Sequence, residues 1–216
     1  MSVVPAPRLL LRDVALARLR EAIVTGELPP GGVVKDAELA TRLDLSVAPV
    51  RAALARLADE GLVESVPQSH TRVTAVVPGI VRDAAAVVAA MHELAVRTAV
   101  PHVTADDVAA MRDANAAFAR AVRTGAVDDA LTSDDALHDV LVVRAGNGAV
   151  RATIDRFTPL VRRLERQRFA AAHGAASVEL HDQLITACQD GDVAVAVATT
   201  TAIWTALLSE LTEETE

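Results

Sequence analysis

The chain has 216 residues, enough for one large domain or two of ordinary size. Its single cysteine, Cys188, excludes an internal disulfide framework and is typical of a reducing cytosol. The net charge of −8 argues against a protein that coats nucleic acid without specificity. Residues 1–76 hold 9 basic and 9 acidic side chains, so the other 12 basic and 20 acidic side chains carry the whole negative excess.

Neither a signal peptide nor a membrane span is predicted. The N-terminal stretch has no long apolar segment followed by a small-residue cleavage site. Residues 193–209 carry no charge, but the run is rich in Ala and Thr and shorter than the roughly 18–20 residues that a span needs. We therefore expect a buried terminal helix in a cytoplasmic protein.

The first predicted element is an amphipathic helix, RDVALARLREAIVTGEL (12–28), which ends at Gly26 before the turn sequence LPPGG. The next informative stretch is 38–64. It has the order of a short helix, a tight turn, a longer helix and a strand, which is typical of a helix-turn-helix with a recognition helix.

The longer helix has clear signals at both ends. Ser46 is a favoured N-cap because its hydroxyl can accept a backbone N–H, and Pro49 falls in the first turn, where its missing N–H costs little. Gly61 supplies a left-handed exit. The apolar positions recur at helical spacing at Val50, Leu54 and Leu57. Arg51 and Arg56 lie off that stripe, so we expect both to be free to face a partner.

A hairpin is predicted after these helices. LVESV (62–66) and TRVTAV (71–76) alternate apolar and polar residues around the turn-rich PQSH. Three helices and a hairpin make a winged helix, which we expect to span residues 8–76. His70 at the predicted wing tip, with Arg72 beside it, suits contact with a phosphate or a minor-groove edge.

Beyond a linker predicted at 77–80, marked by Pro78 and Gly79, only helical stretches occur. The predicted helices of this second domain, residues 81–214, span about 80–99, 104–124, 127–145, 148–171, 175–190 and 192–213. The fold class is thus mostly α, with an N-terminal winged helix-turn-helix and a C-terminal all-α bundle of about six helices. We interpret the basic run 151–168 as a solvated helix face.

The first domain resembles the GntR family of bacterial transcription regulators. This likeness rests on TGELPPGG (25–32) and ELATRLDLSVAPVRAALARLADEGLVE (38–64), which follow the family pattern over a long stretch. The remainder resembles the FCD type of effector domain, through the run from Asp134 and His138 to Asn147 and through the run from His181 to Asp192. Nearly the whole chain is covered.

Regulators of this family sense a small metabolite and change their binding to an operator. The resemblance therefore implies a homodimer on a palindromic double-stranded DNA operator, acting as a repressor that a small-molecule effector, such as a carboxylate, releases. Two alternatives stay open. One is a ligand- or metal-binding helical protein with weakened specific DNA recognition. The other is a metalloenzyme, which has little support because the chain lacks HExxH and G-x-S-x-G motifs.

Arg51 is the strongest candidate for reading DNA, since a guanidinium can pair with two acceptors on a guanine edge. The predicted DNA contacts are Lys35, Arg42, Ser46, Val47, Ala48, Pro49, Arg51, His70 and Arg72. The family pattern has an arginine after the serine, where this chain has Val47 and then Ala48. We therefore expect an operator that differs from the common family consensus, or weaker binding.

A metal site is predicted in the second domain. Asp134 and His138 are four residues apart, so both project from one helical face and offer half of a site, which His181 could complete as a third ligand. The metal-binding relatives add a histidine on the last helix, but this chain has Ile203 there. The three ligands suit Zn²⁺, Ni²⁺ or Mn²⁺. The alternative is a vestigial pocket in which Asp134 hydrogen-bonds His138.

The resemblance also implies an effector pocket beside this site. Its candidate residues are His92 and Glu93 on the first helix of the domain, together with Asn147. The family usually has an arginine four residues before the glutamate, and Ala89 stands at that position. A carboxylate effector therefore lacks one expected anchor.

Overall fold

The structure is a computed structural model that describes residues 10–66, 70–170 and 174–213. The chain divides into two compact units between Val76 and Val77. The first unit is a winged helix and the second is all-helical, so the predicted fold class is confirmed. None of the described helices is long and apolar enough to cross a membrane.

In the part of the first unit that the structure describes, residues 10–66 and 70–76, there are three helices and a three-stranded antiparallel sheet. The helices are α1 (Leu11–Val24), α2 (Asp36–Leu43) and α3 (Val47–Asp59), and the strands are β1 (Val33–Val34), β2 (Val63–Val66) and β3 (His70–Val73). The sheet order is β1-β3-β2. Strands β2 and β3 form the predicted hairpin. Strand β1 was not predicted, because two residues are too few to produce an alternating pattern.

The core of this unit forms where α1 packs against α3. Residues three or four positions apart place their side chains on one face of each helix. The buried residues are Ala15, Leu19 and Ile23 of α1, and Val50, Ala53, Leu54 and Leu57 of α3. At the end of α3, Gly61 has a φ of 75°, and the Leu62 N–H donates to the Leu57 carbonyl at 2.9 Å. This Schellman closure confirms the predicted left-handed exit.

The described residues of the second unit form six α-helices, which match the six predicted ones, and a short 3-10 helix at Val100–His102. The six α-helices are α4 (Pro78–Ala99), α5 (Ala105–Thr124), α6 (Val127–Ala145), α7 (Gly148–Ala170), α8 (Ala175–Gln189) and α9 (Val193–Glu213). One correction concerns the linker predicted at 77–80, because residues 78–80 already belong to α4. Proline is favoured at the first helical position, since its φ is preset and its missing N–H would be unpaired there.

Helix α4 packs against α6, α7 and α9, and α5 packs against α6 and α8. Small and branched side chains fill most of the interior. Phe118 and Phe169 form a second, smaller cluster with their rings 5.2 Å apart. These helices bring side chains from α4, α5, α6, α8 and α9 to one buried site.

Candidate DNA-reading surface and buried histidine site

The start of α3 presents the residues predicted to read DNA. Val47, Ala48 and Pro49 are the first three helical residues, and Ser46 occupies the N-cap position with extended backbone angles. The Ser46 hydroxyl makes no capping hydrogen bond, which corrects the prediction from sequence. An N-cap side chain bonds the N–H of the second or third helical residue, and Pro49 has none to offer. The exposed hydroxyl is therefore available to a phosphate.

Arg51 lies one residue after Val50, on the exposed side of α3. Its side chain is 73% exposed, and Nε donates a hydrogen bond to Oδ2 of Asp36 at 2.9 Å. This exposure agrees with the expectation that Arg51 lies off the apolar stripe and can face a partner, and the pairing with Asp36 is a contact that the sequence did not indicate. The two residues are 15 positions apart in sequence. An exposed pair of this kind stabilises by only about 0–1 kcal/mol, so DNA can displace the carboxylate.

The other predicted cations are also paired with carboxylates of the same chain. Lys35 Nζ lies 2.7 Å from Glu38, which raises the pKa of the Lys35 ammonium. Arg72 Nη2 lies 2.9 Å from Glu64 on the neighbouring strand β2. The remaining pairs are Arg42 with Glu27 and Arg56 with Glu60. This surface is thus internally neutralised, in agreement with the equal numbers of acids and bases in residues 1–76.

The wing is described only in part. His70 is the first residue of β3 and pairs with Val66 in the register of the hairpin. The tip residues 67–69, to which the prediction for the wing turn refers, lie outside the described residues. His70 is therefore at the base of the tip, with Arg72 two residues further along the same strand.

The second unit brings the three predicted metal ligands together. Asp134 and His138 lie on α6 and His181 on α8, and their ligand atoms all lie within 4.8 Å of one another. Oδ1 of Asp134 is 3.4 Å from Nε2 of His181 and 4.0 Å from Nε2 of His138. His181 is completely buried, whereas Asp134 and His138 are half-buried.

Asn115 of α5 fixes the tautomer of His181. Its amide nitrogen donates to the Val178 carbonyl at 3.1 Å and to Asp182 at 2.8 Å, so its Oδ1 faces Nδ1 of His181 at 3.1 Å. That oxygen can only accept, and Nδ1 therefore carries the proton. Nε2 consequently presents a lone pair toward the Asp134 carboxylate. Two acceptors facing each other at 3.4 Å favour a shared cation or proton between them.

The sequence reasoning missed Asn115. One signal could have found it: Asn115 stands among Val108, Met111 and Phe118 at helical spacing, on the buried face of α5. A buried amide on an apolar stripe needs hydrogen-bond partners, and such partners are often functional side chains.

His92 of α4 reaches the same site. Its ring centroid is 5.5 Å from that of His138 and 5.5 Å from that of Trp204, on which it stacks. The pKa of His92 is lowered to about 3, mainly by burial and in smaller part by the charges of His138, Arg151 and Arg162. His92 is therefore neutral at physiological pH.

The other two predicted pocket residues have structural partners instead. Glu93 accepts a hydrogen bond from Thr201 of α9 at 2.7 Å and so links α4 to α9. Asn147 is exposed, and its Oδ1 accepts from the N–H groups of Ala149 and Val150 at 3.0 and 3.3 Å. Asn147 thus caps α7, a role that the motif ending at this residue did not indicate.

Helix α9 presents no imidazole to the site. Ile203, at the position of the missing ligand, packs against the main apolar cluster. The next residue, Trp204, is buried, and its indole Nε1 has no hydrogen-bond partner among the described residues. Hydrocarbon and an indole therefore occupy the place where the sequence comparison led us to look for a fourth ligand.

The basic run on α7 is only partly a solvated face, which corrects the sequence-based interpretation. Arg162 and Arg163 are both buried. Arg162 pairs with Asp135 of α6, and its Nη1 lies 2.8 Å from Glu165. Burial alone would lower the pKa of Arg162, but Glu165, Asp135 and Asp134 raise it above its usual value. A fixed positive charge thus lies beside the histidine site.

Acid should destabilise the second unit through His92. The unfolded side chain has a pKa near 6.5 and the folded one near 3, so below about pH 6.5 only the unfolded chain binds the proton. The contribution of neutral His92 to the free energy of unfolding is then fully present above about pH 6.5. It falls by about 1.4 kcal/mol per pH unit between about pH 6.5 and pH 3. Urea unfolding followed by the fluorescence of Trp204 measures this effect.

Between pH 6.5 and 5 we expect wild type to lose about 2 kcal/mol of unfolding free energy through this group. The variant His92→Asn, which cannot titrate, should lose correspondingly less. Parallel pH profiles for the two proteins would show that His92 does not carry the effect.

Comparison with known protein families decides the affiliation. The model for bacterial regulatory proteins of the gntR family matches residues 11–73, and the FCD domain model matches residues 83–206. The chain belongs to the GntR family. The FCD match alone covers more than half of its residues. Family membership confirms the resemblance inferred from the two sequence motifs.

Relatives of this GntR protein are also regulators. An HTH-type transcriptional regulator in an unstable DNA locus of Streptomyces ambofaciens is 33% identical over 194 residues, covering 86% of this chain and 78% of the relative. McbR/YncC of E. coli has the same fold, with a TM-score of 0.86, 18% identity and coverage of 97% and 100% of the two chains. A GntR regulator from Rhodococcus sp. RHA1 gives a TM-score of 0.77 at 15% identity, over 94% and 97% of the chains.

This GntR protein is accordingly a DNA-binding, effector-responsive transcriptional regulator rather than an enzyme. The prediction of a regulator is confirmed, and the metalloenzyme alternative is not supported. The N-terminal unit supplies the DNA-binding element and the FCD unit holds the buried histidine site.

Proposed function

We propose that the protein represses its target genes by binding a palindromic operator as a homodimer, and that a small effector held in the FCD unit releases it. The observation that carries this proposal is the start of α3, where Ser46, Val47, Ala48 and Arg51 share an accessible end of one helix. A helix of this kind enters the major groove with its first turns. A protein that works on the chromosome acts in the cytoplasm.

Each predicted side chain has a distinct part in this proposal. Arg51 leaves Asp36 and pairs with a guanine edge, while the Ser46 hydroxyl binds a phosphate oxygen. Val47 places a hydrocarbon group where relatives have an arginine, which favours contact with a thymine methyl group. At the flanks, Lys35, Arg42 and Arg72 contact phosphates after releasing their carboxylate partners, and His70 contacts a phosphate from the base of the wing tip.

We further propose that Asp134, His138 and His181 hold a divalent cation. One carboxylate oxygen and two imidazole nitrogens within 4.8 Å of one another form a donor set suited to Zn²⁺, Ni²⁺ or Mn²⁺. The tautomer set by Asn115 supports this proposal, since it turns a lone pair of His181 toward Asp134. When bound, such an ion would supply a Lewis-acidic position for an oxygen atom of the effector.

The neighbouring residues favour an anionic effector at this site. Ala89 removes one cationic anchor, and the buried guanidinium of Arg162 from α7 lies beside the site, where it is paired with Asp135 and Glu165. The indole Nε1 of Trp204 is a buried donor that has no acceptor among the described residues. The His92 ring lies between Trp204 and His138 and contacts both. A small carboxylate would bind the divalent cation with one oxygen and accept a hydrogen bond from Trp204 with the other.

A second reading has one observation in its favour. The cations on the DNA-reading surface are paired with carboxylates, and Val47 removes a base-reading donor, so specific recognition could be weak. In that case the protein would be mainly a ligand-binding module.

Selective retention of genomic DNA distinguishes the two functions. We expect immobilised protein, in excess competitor DNA, to retain a few fragments that include the promoter of its own gene. Candidate metabolites, tested as small carboxylates with and without Zn²⁺, should elute those fragments. Retention of all fragments alike, abolished by moderate salt, would leave only the ligand-binding reading.

A further inference from the structure

The amide of Asn115 lies between a buried imidazole and an exposed carboxylate. Asn115 of α5 is 4% exposed and His181 of α8 is completely buried, whereas Asp182, the next residue of α8, is exposed. Oδ1 of Asn115 lies 3.1 Å from Nδ1 of His181, and Nδ2 of Asn115 lies 2.8 Å from Oδ1 of Asp182. One buried side chain thus connects the exposed carboxylate to the candidate metal ligand.

The orientation of this amide decides which nitrogen of His181 carries the proton. A neutral imidazole has one N–H, so one ring nitrogen donates while the other accepts. With Oδ1 of Asn115 toward Nδ1, the proton lies on Nδ1 and Nε2 offers its lone pair. If the amide rotated by 180°, an N–H of Asn115 would face Nδ1, and the proton would lie on Nε2. Nε2 could not bind a cation in that state, because a ligand atom must present a lone pair.

The Asp134 carboxylate favours the rotated state when no cation is bound. Its Oδ1 lies 3.4 Å from Nε2 of His181. A proton on Nε2 would let His181 donate a hydrogen bond to that oxygen, so that two acceptors no longer face each other. The metal-free site therefore stays competent to bind a cation only if other contacts keep the amide in place.

More hydrogen bonds form in the observed orientation than in the rotated one. Nδ1 of His181 donates to Asn115, and Asn115 donates in turn to the Val178 carbonyl at 3.1 Å. The third bond is the one from Asn115 to Asp182. The rotated state would form two, from Asn115 to Nδ1 and from Nε2 to Asp134. It would also turn Oδ1 of Asn115 toward two acceptors, of which the charged carboxylate opposes it more strongly.

We propose that Asp182 is a positioning residue of the metal site. It holds the Asn115 amide so that Nε2 of His181 presents its lone pair before a cation arrives. This inference rests on the proposed binding of a cation by Asp134, His138 and His181. It assigns control of a buried ligand to an exposed side chain that acts through Asn115.

Removal of Asp182 brings the two orientations close to balance. Two hydrogen bonds then remain in each, since the observed orientation keeps the bond to Val178 and the rotated one gains the bond to Asp134. Only the fraction of molecules with the proton on Nδ1 binds the cation, so the apparent affinity falls in proportion to that fraction. A fraction between about one half and one tenth corresponds to a loss of about 2- to 10-fold.

Two substitutions of Asp182 separate its hydrogen bond from its charge. We expect Asp182→Ala to bind Zn²⁺ about 2- to 10-fold more weakly than wild type in competition with a chromogenic chelator. Asp182→Asn keeps an acceptor oxygen for Asn115 and should bind within about twofold of wild type. Glu179→Ala removes an exposed acid from the same helix, and Gln183→Ala removes the neighbouring exposed side chain. Both controls should bind Zn²⁺ like wild type.

The tautomer of His181 provides a readout that needs no metal. Nitrogen-15 NMR of the metal-free protein at about pH 8, where imidazoles are neutral, identifies the protonated ring nitrogen. We expect the proton on Nδ1 in wild type and in Asp182→Asn, and a shift of the proton toward Nε2 in Asp182→Ala. A merely structural role of Asp182 would lower stability without moving this proton.

The outcomes separate this inference from the proposed function. A proton on Nε2 in wild type, or an unchanged tautomer in Asp182→Ala, would overturn the role of Asp182 whether or not the protein binds a metal. Asp182→Asn as weak as Asp182→Ala would also overturn it, because charge alone would then explain the loss. A wild type that binds no Zn²⁺ but shows the expected tautomers would refute the proposed cation and still support the positioning of His181 by Asp182.

Discussion

Replacement of Arg51 by alanine should reduce operator affinity more than any other single change on the DNA-reading surface. A bidentate contact to guanine is worth about 1–3 kcal/mol, which corresponds to roughly 5- to 150-fold at each half-site. The residue is exposed at the start of α3 and its pairing with Asp36 is weak enough to exchange. Fluorescence anisotropy with the promoter fragment measures the loss.

Three further variants refine this test. Arg51→Lys keeps the charge but loses the two-pronged geometry, so it should resemble the alanine variant if Arg51 reads a base and wild type if it binds phosphate. Asp36→Asn removes the competing carboxylate and should raise affinity by up to about fivefold. Arg18→Ala, an exposed arginine of α1, is the control. Wild-type affinity in the Arg51→Ala protein would refute the assignment.

Replacement of Asp134 by alanine should abolish stable metal binding. It removes the only carboxylate of a three-ligand site, and we expect affinity to fall by at least about 100-fold. The measurements are the metal content of protein purified without chelator or nickel resin, and competition titration with a chromogenic chelator. Loss of metal should also lower the thermal stability of wild type, since an ion that binds only the folded state stabilises it.

Two variants control for this experiment. Asn115→Leu leaves all three ligands in place but removes the hydrogen bond to Nδ1 of His181, so affinity should fall by an intermediate amount, about 10- to 100-fold. Asp129→Ala, at an exposed acid of the same helix, should bind metal like wild type. A wild-type protein that contains no metal, together with an unchanged stability of the Asp134→Ala variant, would exclude the proposed site.

Much of the fold follows from local signals in the sequence. Four helices of the FCD unit, α4, α5, α6 and α8, end within two residues of a proline or glycine that the sequence displays. Helix α3 begins and ends where Ser46, Pro49 and Gly61 indicate. The turn between α2 and α3 places Asp44 at a φ of 54°, a conformation that aspartate tolerates better than most residues. These features depend on neighbouring residues, which is why a single sequence suffices to predict them.

The errors concern contacts between residues far apart in the chain. The pairing of Arg51 with Asp36 and of Arg162 with Asp135 depends on how separate helices pack, and no local pattern reports it. The same reason explains why Asn115 was missed, since its partners Val178, His181 and Asp182 are 63 to 67 positions away. Strand β1 escaped prediction because its only signal is its partner β3.

The buried histidine site has some features that the sequence predicts and others that only the packing of separate helices determines. The four-residue spacing of Asp134 and His138 predicts a shared helical face. The structure brings His181 and His92, both candidates from the sequence, to the same place from two other helices. The loss of the ligand at Ile203 is evident in the sequence, but the presence of Arg162 and Trp204 beside the site is not. Packing therefore decides what kind of effector the site can accept.

Footprinting of the protein on its own promoter tests the central claim most directly. A dimer that reads DNA through the start of α3 should protect two symmetric half-sites about one helical turn apart, with the guanines of each half-site sensitive to replacement of Arg51. Protection should disappear for Arg51→Ala at the concentration that saturates wild type. Protection that is continuous along the fragment, or equal in the two proteins, would contradict the account.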